Sequence, residues 1–101
     1  MLVRKTFCIQ NQHCFSLKRK TRRVMGDNIA LHAYLPLNEL PVKMRGRIPK
    51  KEIWVREDYY DDDEKLRGIR LHEKKELYLM VVHGLTYKNA HRKASESNPC
   101  N

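Results

Sequence analysis

A helical pattern from Glu64 to His83 constrains the fold of this chain more than any other sequence feature. Its apolar residues recur at spacings of three and four, which is the repeat of one buried helix face. Six acidic residues lie within positions 57–64, and one of the aspartates at 61–63 is expected to cap the helix N-terminus. Gly84 supplies a stop, because glycine readily adopts the left-handed backbone that ends many helices. The chain therefore organises around one long helix.

The second half of this helix and the segment after it predict a helical pair. Residues 77–82 are apolar on every side, so we expect this half to be buried on several sides. Gly68 is expected to permit a close approach of the preceding strand. Thr86 can cap a second helix, from Tyr87 to about Ala94.

The N-terminal half predicts a small β-sheet. Residues 1–10 alternate loosely and favour a strand, residues 11–13 a turn, and residues 14–17 a return strand. Residues 52–56 alternate clearly, so that Ile53 and Val55 face inward while Trp54 covers the other face. Residues 29–35 fit either a strand or a helix.

Three of the four prolines lie within residues 36–49, which predicts a connecting loop that adds little to the core. The fold class predicted is α+β: a small N-terminal sheet packed on the long helix, with a short C-terminal helix. We expect a single domain over residues 1–96. It comprises a basic β and loop region at 1–47 and a strand with the helical pair at 48–96. Residues 97–101 are expected to form a tail.

Two histidines and two carboxylates follow a metal-binding spacing around the long helix. His72 and Glu76 are four residues apart and so share one helix face, with Glu73 beside them. His91 lies on the second helix, which must cross the first at an angle that brings it to Glu76. His83 lies about 16 Å from His72 along the axis, too far to share an ion with it. Two imidazoles and a carboxylate suit a zinc ion that keeps one position open for water.

Other titratable residues have simpler interpretations. His32 is more typical of a half-buried structural histidine than of a ligand. Cys8, Cys14 and Cys100 do not suggest a disulfide framework, and free thiols are expected for them. The acidic run at 57–64 favours helix capping over a calcium or magnesium site, because no glycine-bearing loop spaces its ligands. Without a signal peptide or a membrane-spanning stretch, we expect a cytoplasmic, reducing location.

The zinc-type spacing resembles that of the zincin metallopeptidases, whose helix carries His-Glu-x-x-His and whose third ligand follows later in the chain. In this chain Glu76 stands at the second helix position and His91 comes later. Residues 48–96 resemble more narrowly a group of small phage and archaeal proteins of unassigned activity. The shared pattern is His-Glu-x-x-Glu, Leu-Met, Gly and Tyr-x-x-Ala-His, matched here between His72 and His91.

The resemblance implies a zincin-like metal-binding protein. His72, Glu76 and His91 would be the zinc ligands, and Glu73 the general base that takes a proton from water at the ion. The protein would be either a zinc-dependent hydrolase or peptidase, or a relative that keeps the ion for structure. An accessory interaction protein, in which the helical pair packs on a partner, is an alternative.

The charge distribution supports a further alternative, a nucleic-acid-binding protein. The net charge is +9, and residues 1–26 contain seven Lys or Arg and no Asp or Glu. Residues 76–94 also read as a helix-turn-helix, although Met80 stands where a small residue usually permits a tight crossing. The candidate contacts are Lys18, Arg19, Lys20, Arg22 and Arg23 in the N-terminal region and Lys88, Arg92 and Lys93 in the second helix. A basic surface that only keeps the protein in solution is the competing interpretation.

Overall fold

The computed structural model describes residues 2–11 and 13–97, and it confirms the predicted α+β class. Two short segments, Leu37–Glu39 and Val42–Met44, are 3₁₀-helical. The other elements, in chain order, are β1 Thr6–Gln10, β2 His13–Lys20, α1 Arg22–Met25, β3 Ala30–His32, β4 Glu52–Arg56, α2 Glu57–Tyr60, α3 Asp63–Val81 and α4 Tyr87–Ser97. Helix α4 runs past the predicted end at Ala94, and the tail predicted at 97–101 lies, after Ser97, outside the described residues.

The sheet is mixed, with the strand order β1-β2-β4-β3. The predicted hairpin forms, since β1 and β2 pair antiparallel. Strand β2 continues through Lys20 and pairs in parallel with β4, and β3 closes the other edge antiparallel to β4. Residues 18–20 are therefore strand residues. Parallel pairing requires a long crossover, which residues 21–51 provide.

Two apolar clusters cover the two faces of the sheet. On one face, Ile53 and Val55 are fully buried and pack in one cluster with Leu66, Ile69 and Leu77 of α3. The alternation predicted for residues 52–56 is confirmed, because Trp54 packs with the cluster on the opposite face. The sheet is thus a middle layer between the long helix and a second covering layer.

The second covering layer comes mainly from the proline-rich segment at 36–49. Leu40, Met44 and Ile48 are buried there, so the prediction of little core in this segment is wrong. Short 3₁₀ turns bounded by prolines place an apolar residue inward at every fourth position. Few apolar residues are needed when each of them points at the sheet.

The long helix begins and ends where the sequence predicts, within two residues. The Asp62 side chain accepts a hydrogen bond from the Lys65 backbone N–H at 3.1 Å, which is the expected cap. Gly84 has a φ of 69° just after the helix. At the end of α3, Leu79 to Val82 are only partly buried, so the expected burial on several sides is wrong. No helix among the described residues has the length and apolar character that a membrane span requires.

Gly68 provides a direct test of the α3 energetics. A Cβ atom added there would meet no heavy atom within 4 Å outside its own helix, so the predicted close approach of a strand is wrong. Gly68→Ala should therefore stabilise the protein by about 0.5–1 kcal/mol, because alanine loses less conformational entropy in a helix. Urea unfolding with an unchanged m value would measure the gain. Gly84→Ala is the matched control and should destabilise by roughly 1 kcal/mol or more, because its φ is positive.

Candidate metal centre

Helices α3 and α4 bring together the three side chains that the sequence predicts as metal ligands. The Glu76 Oε2 atom lies 2.8 Å from His91 Nδ1 and 3.1 Å from His72 Nε2, and these two nitrogens are 3.3 Å apart. The predicted crossing of the two helices is therefore present. His83, by contrast, is exposed and packs its ring on Tyr78.

The crossing depends on small residues in α4. Ala90 and Ala94 are four residues apart, share one face of α4, and are completely buried. Small side chains on a packed face let two helix axes approach closely. His91 follows Ala90 directly, so its ring reaches the Glu76 carboxylate while nearly half of its side chain stays exposed to solvent.

The structure adds a third imidazole that the sequence did not predict for the site. His32 ends strand β3 and is 1% exposed, and its Nε2 atom lies 2.8 Å from Glu76 Oε1. Its Nδ1 atom accepts a hydrogen bond from the Tyr34 backbone N–H at 3.2 Å, so Nε2 is the nitrogen that carries the proton in the neutral ring. The interpretation of His32 as a half-buried structural histidine is therefore wrong in its burial. No local signal identified it, because its partner is 44 residues away in the chain.

The two buried carboxylates have opposite environments. Burial acts to raise the pKa of Glu76, but hydrogen bonds from His32 and His72 outweigh it and hold the pKa well below its usual range. Burial, and then the charge of Glu76, raise the pKa of Glu73 to about 7. The Glu73 Oε2 atom makes no hydrogen bond within the described residues, and its nearest basic partner is His32 Nε2 at 3.5 Å.

The residues present fit a zinc ion. A tetrahedral zinc with bonds of about 2.0–2.1 Å separates its ligand atoms by roughly 3.3–3.4 Å. The three ligand atoms of His72, Glu76 and His91 are 2.8–3.3 Å apart, so outward shifts of a few tenths of an ångström would accommodate the ion. Two ring nitrogens and a carboxylate oxygen are also the donor types that zinc prefers.

A cavity of about 430 Å³ opens beside the cluster. Leu31, Leu35 and Ile69 give it apolar walls, and Asn28 and Ser95 add polar groups. Tyr87 also lines it, with its ring 5.2 Å from that of His91, and burial raises the pKa of its hydroxyl. The buried cluster therefore has a path to solvent and room for a small ligand.

The basic residues predicted as nucleic-acid contacts are partly neutralised by the acidic run. Arg19 forms a bidentate pair with Asp61, with both N–O distances at 2.9 Å. Arg22 lies 3.6 Å from Asp58, and its backbone N–H donates to Glu57. The sequence did not predict these contacts, because they join segments about 40 residues apart. The acidic run therefore offsets part of the basic region as well as capping α3.

The remaining basic candidates are less constrained. Lys20 places its Nζ atom 4.4 Å from the centre of the Trp54 ring. The other five side chains are exposed: Lys18 in β2, Arg23 in α1, and Lys88, Arg92 and Lys93 on α4.

The two cysteines of the β1–β2 hairpin are adjacent in the sheet. Cys8 and Cys14 face each other across the strand pair, with Cα atoms 3.9 Å apart, and are joined as a disulfide. The expectation of free thiols at these two positions is therefore wrong. Cys100 lies outside the described residues.

Comparison of the chain with protein-family models, with curated proteins and with solved structures found no match in any of the three.

Proposed function

We propose that this protein binds a zinc ion through His72, Glu76 and His91 and uses it to hydrolyse a small substrate. The observation that carries the proposal is that His72 of α3 and His91 of α4 both contact the same carboxylate oxygen of Glu76. The zincin-like spacing of the sequence supports the same ligand set. When bound, the ion would polarise a water molecule and lower its pKa to about 7.

The residues around the ligands have separable roles in this proposal. His32 holds the second oxygen of Glu76 and so fixes the orientation of a ligand, as outer-shell partners of metal sites do. Glu73 is buried beside the ligands and carries a carboxylate without a hydrogen bond on Oε2. As the general base, Glu73 would take a proton from water and return it to the leaving group. Whether the site is catalytic or keeps the ion only for structure depends on that step.

Zinc binding should depend on His91. His91→Ala should weaken zinc binding by at least about 100-fold, since even the loss of an outer-shell partner costs 10–100-fold. The side chain is 48% exposed, so this variant should fold. His83→Ala, which removes an exposed histidine outside the cluster, is the matched control and should bind zinc normally. Competition with a chromophoric chelator measures both; equal affinities in the two variants would contradict the ligand set.

Hydrolysis should depend on Glu73. Glu73→Gln should retain the zinc ion and lose about 10²–10⁴-fold in kcat, because the amide cannot accept the proton. Fluorescent casein, p-nitrophenyl acetate and p-nitrophenyl phosphate cover peptide, carboxylic ester and phosphate ester substrates. Zinc-loaded protein that turns over none of them would leave the ion with a structural role, and a Glu73→Gln variant as active as the parent would exclude Glu73 as the general base.

A nucleic-acid-binding function is the second candidate, and the exposed Lys88, Arg92 and Lys93 on α4 favour it. This function predicts DNA binding that weakens steeply with salt and that is reduced when these three residues are replaced by glutamine. Titrations of labelled duplex DNA at 50 and 200 mM salt would measure it. Binding that does not change with salt would exclude it.

An interaction function is supported by the partly exposed apolar residues at the end of α3, from Leu79 to Val82. Sedimentation at increasing protein concentration would detect self-association through them.

We also propose a cytoplasmic location, where reductants keep most cysteines as thiols. Alkylation of Cys8 and Cys14 in acid-quenched cells, followed by mass spectrometry, tests this location; a disulfide that persists there would argue against it.

A further inference from the structure

We propose that the centre holds a second divalent cation, bound by His32, Glu73 and Glu76, with the Glu76 carboxylate bridging the two ions. This inference rests on the proposed zinc site, because both ions would share Glu76. Nothing in the sequence pattern of the helical pair predicts it, since His32 comes from the sheet.

The first line of evidence is the orientation of the Glu76 carboxylate. Its Oε2 atom faces His72 and His91, whereas its Oε1 atom faces His32 at 2.8 Å. A carboxylate whose two oxygens point to two separate donor groups has the arrangement of a bridging ligand. The donor atoms of His32, Glu73 and Glu76 lie within 4.8 Å of one another, as do those of His72, Glu76 and His91.

The second line of evidence is the environment of Glu73. The residue is only 7% exposed, and its Oε2 atom makes no hydrogen bond within the described residues. A buried carboxylate oxygen without a partner is costly, and a second carboxylate nearby increases that cost. The contact with His32 Nε2 at 3.5 Å is too long for a hydrogen bond. A cation between Glu73, His32 and Glu76 would satisfy both carboxylates. Its bond to His32 Nε2 would replace the proton on that nitrogen and place it on Nδ1, at the expense of the hydrogen bond that Nδ1 accepts from the Tyr34 backbone N–H.

The donor set indicates the kind of cation and ligand. One imidazole and two carboxylates form a harder set than two imidazoles and one carboxylate, so the second subsite should accept Mn²⁺ as well as zinc. Two divalent ions exceed the charge of the two carboxylates, so the second ion should bind more weakly than the first. The excess positive charge beside an open cavity suits an anionic substrate, and phosphate esters are a class that two-metal sites hydrolyse.

The role of Glu73 separates the one-ion and two-ion centres. With one ion, Glu73 is an unliganded carboxylate, and its replacement leaves the metal content unchanged. With two ions, Glu73 is a ligand, and Glu73→Gln removes one ion. The metal content of this variant therefore distinguishes the inference from the proposed function without any assay of activity.

The experiment is a titration of zinc-loaded protein with Mn²⁺, followed by native mass spectrometry. We expect two ions per chain in the parent protein and one in Glu73→Gln and in His32→Gln. Glu64→Gln, which changes an exposed carboxylate of the same helix, is the control and should bind two. Inorganic phosphate should increase the occupancy of the second ion and leave the first unchanged.

Each outcome decides between the proposals. One ion in the parent protein would overturn the second site and leave the zinc site standing, and no ion would overturn both. Two ions in both the parent and Glu73→Gln would locate the second ion elsewhere and overturn the assignment. The number of ions bound by the parent protein is measured without any variant, so the test remains even if the His32→Gln protein fails to fold.

Discussion

The arrangement of the candidate site depends on one buried carboxylate. Glu76 is 2% exposed and accepts contacts from three imidazoles, which come from β3, α3 and α4. A single side chain therefore links the edge of the sheet to both helices of the pair. Hydrogen bonds to charged groups contribute about 1.5–3 kcal/mol each, so these contacts are large compared with the net free energy of unfolding of a domain of this size. The contact between Glu76 and His91 adds a polar link between α3 and α4 to the packing of the buried Ala90 and Ala94.

Local signals predicted the parts of the fold that depend on local physics. The cap at Asp62, the stop at Gly84 and the alternation in β4 are each encoded within a few residues, and each is present. The parallel pairing of β2 with β4 and the core role of residues 36–49 are not encoded locally. They depend on which distant surfaces meet, and a sequence window of ten residues contains no information about that.

The same division applies to the candidate site. His72 and Glu76 are one helical turn apart, so their spacing alone places them on one face. His91 required a helix crossing that the sequence could suggest only through the resemblance of its surrounding pattern. His32 was not predicted as part of the site, because its sequence neighbours give no sign of a ligand. Its side chain reaches Glu76 of α3 only because of the position of the three-residue strand β3 in the sheet. The acidic run shows the same effect for charge, since its pairing with the basic region is a tertiary contact.

Hydrogen bonding alone accounts for Glu76 but not for Glu73. Three imidazoles can donate to the two oxygens of Glu76, and that arrangement would satisfy a purely structural cluster. A second carboxylate buried beside it adds repulsion and gains no hydrogen bond on Oε2 within residues 2–11 and 13–97. An apolar residue of similar size at position 73 would serve stability better, because burying a carboxyl oxygen that makes no hydrogen bond costs free energy. Local features that oppose stability are typical of functional sites, so the free energy lost at Glu73 is itself an argument that this cluster binds a cation or moves a proton.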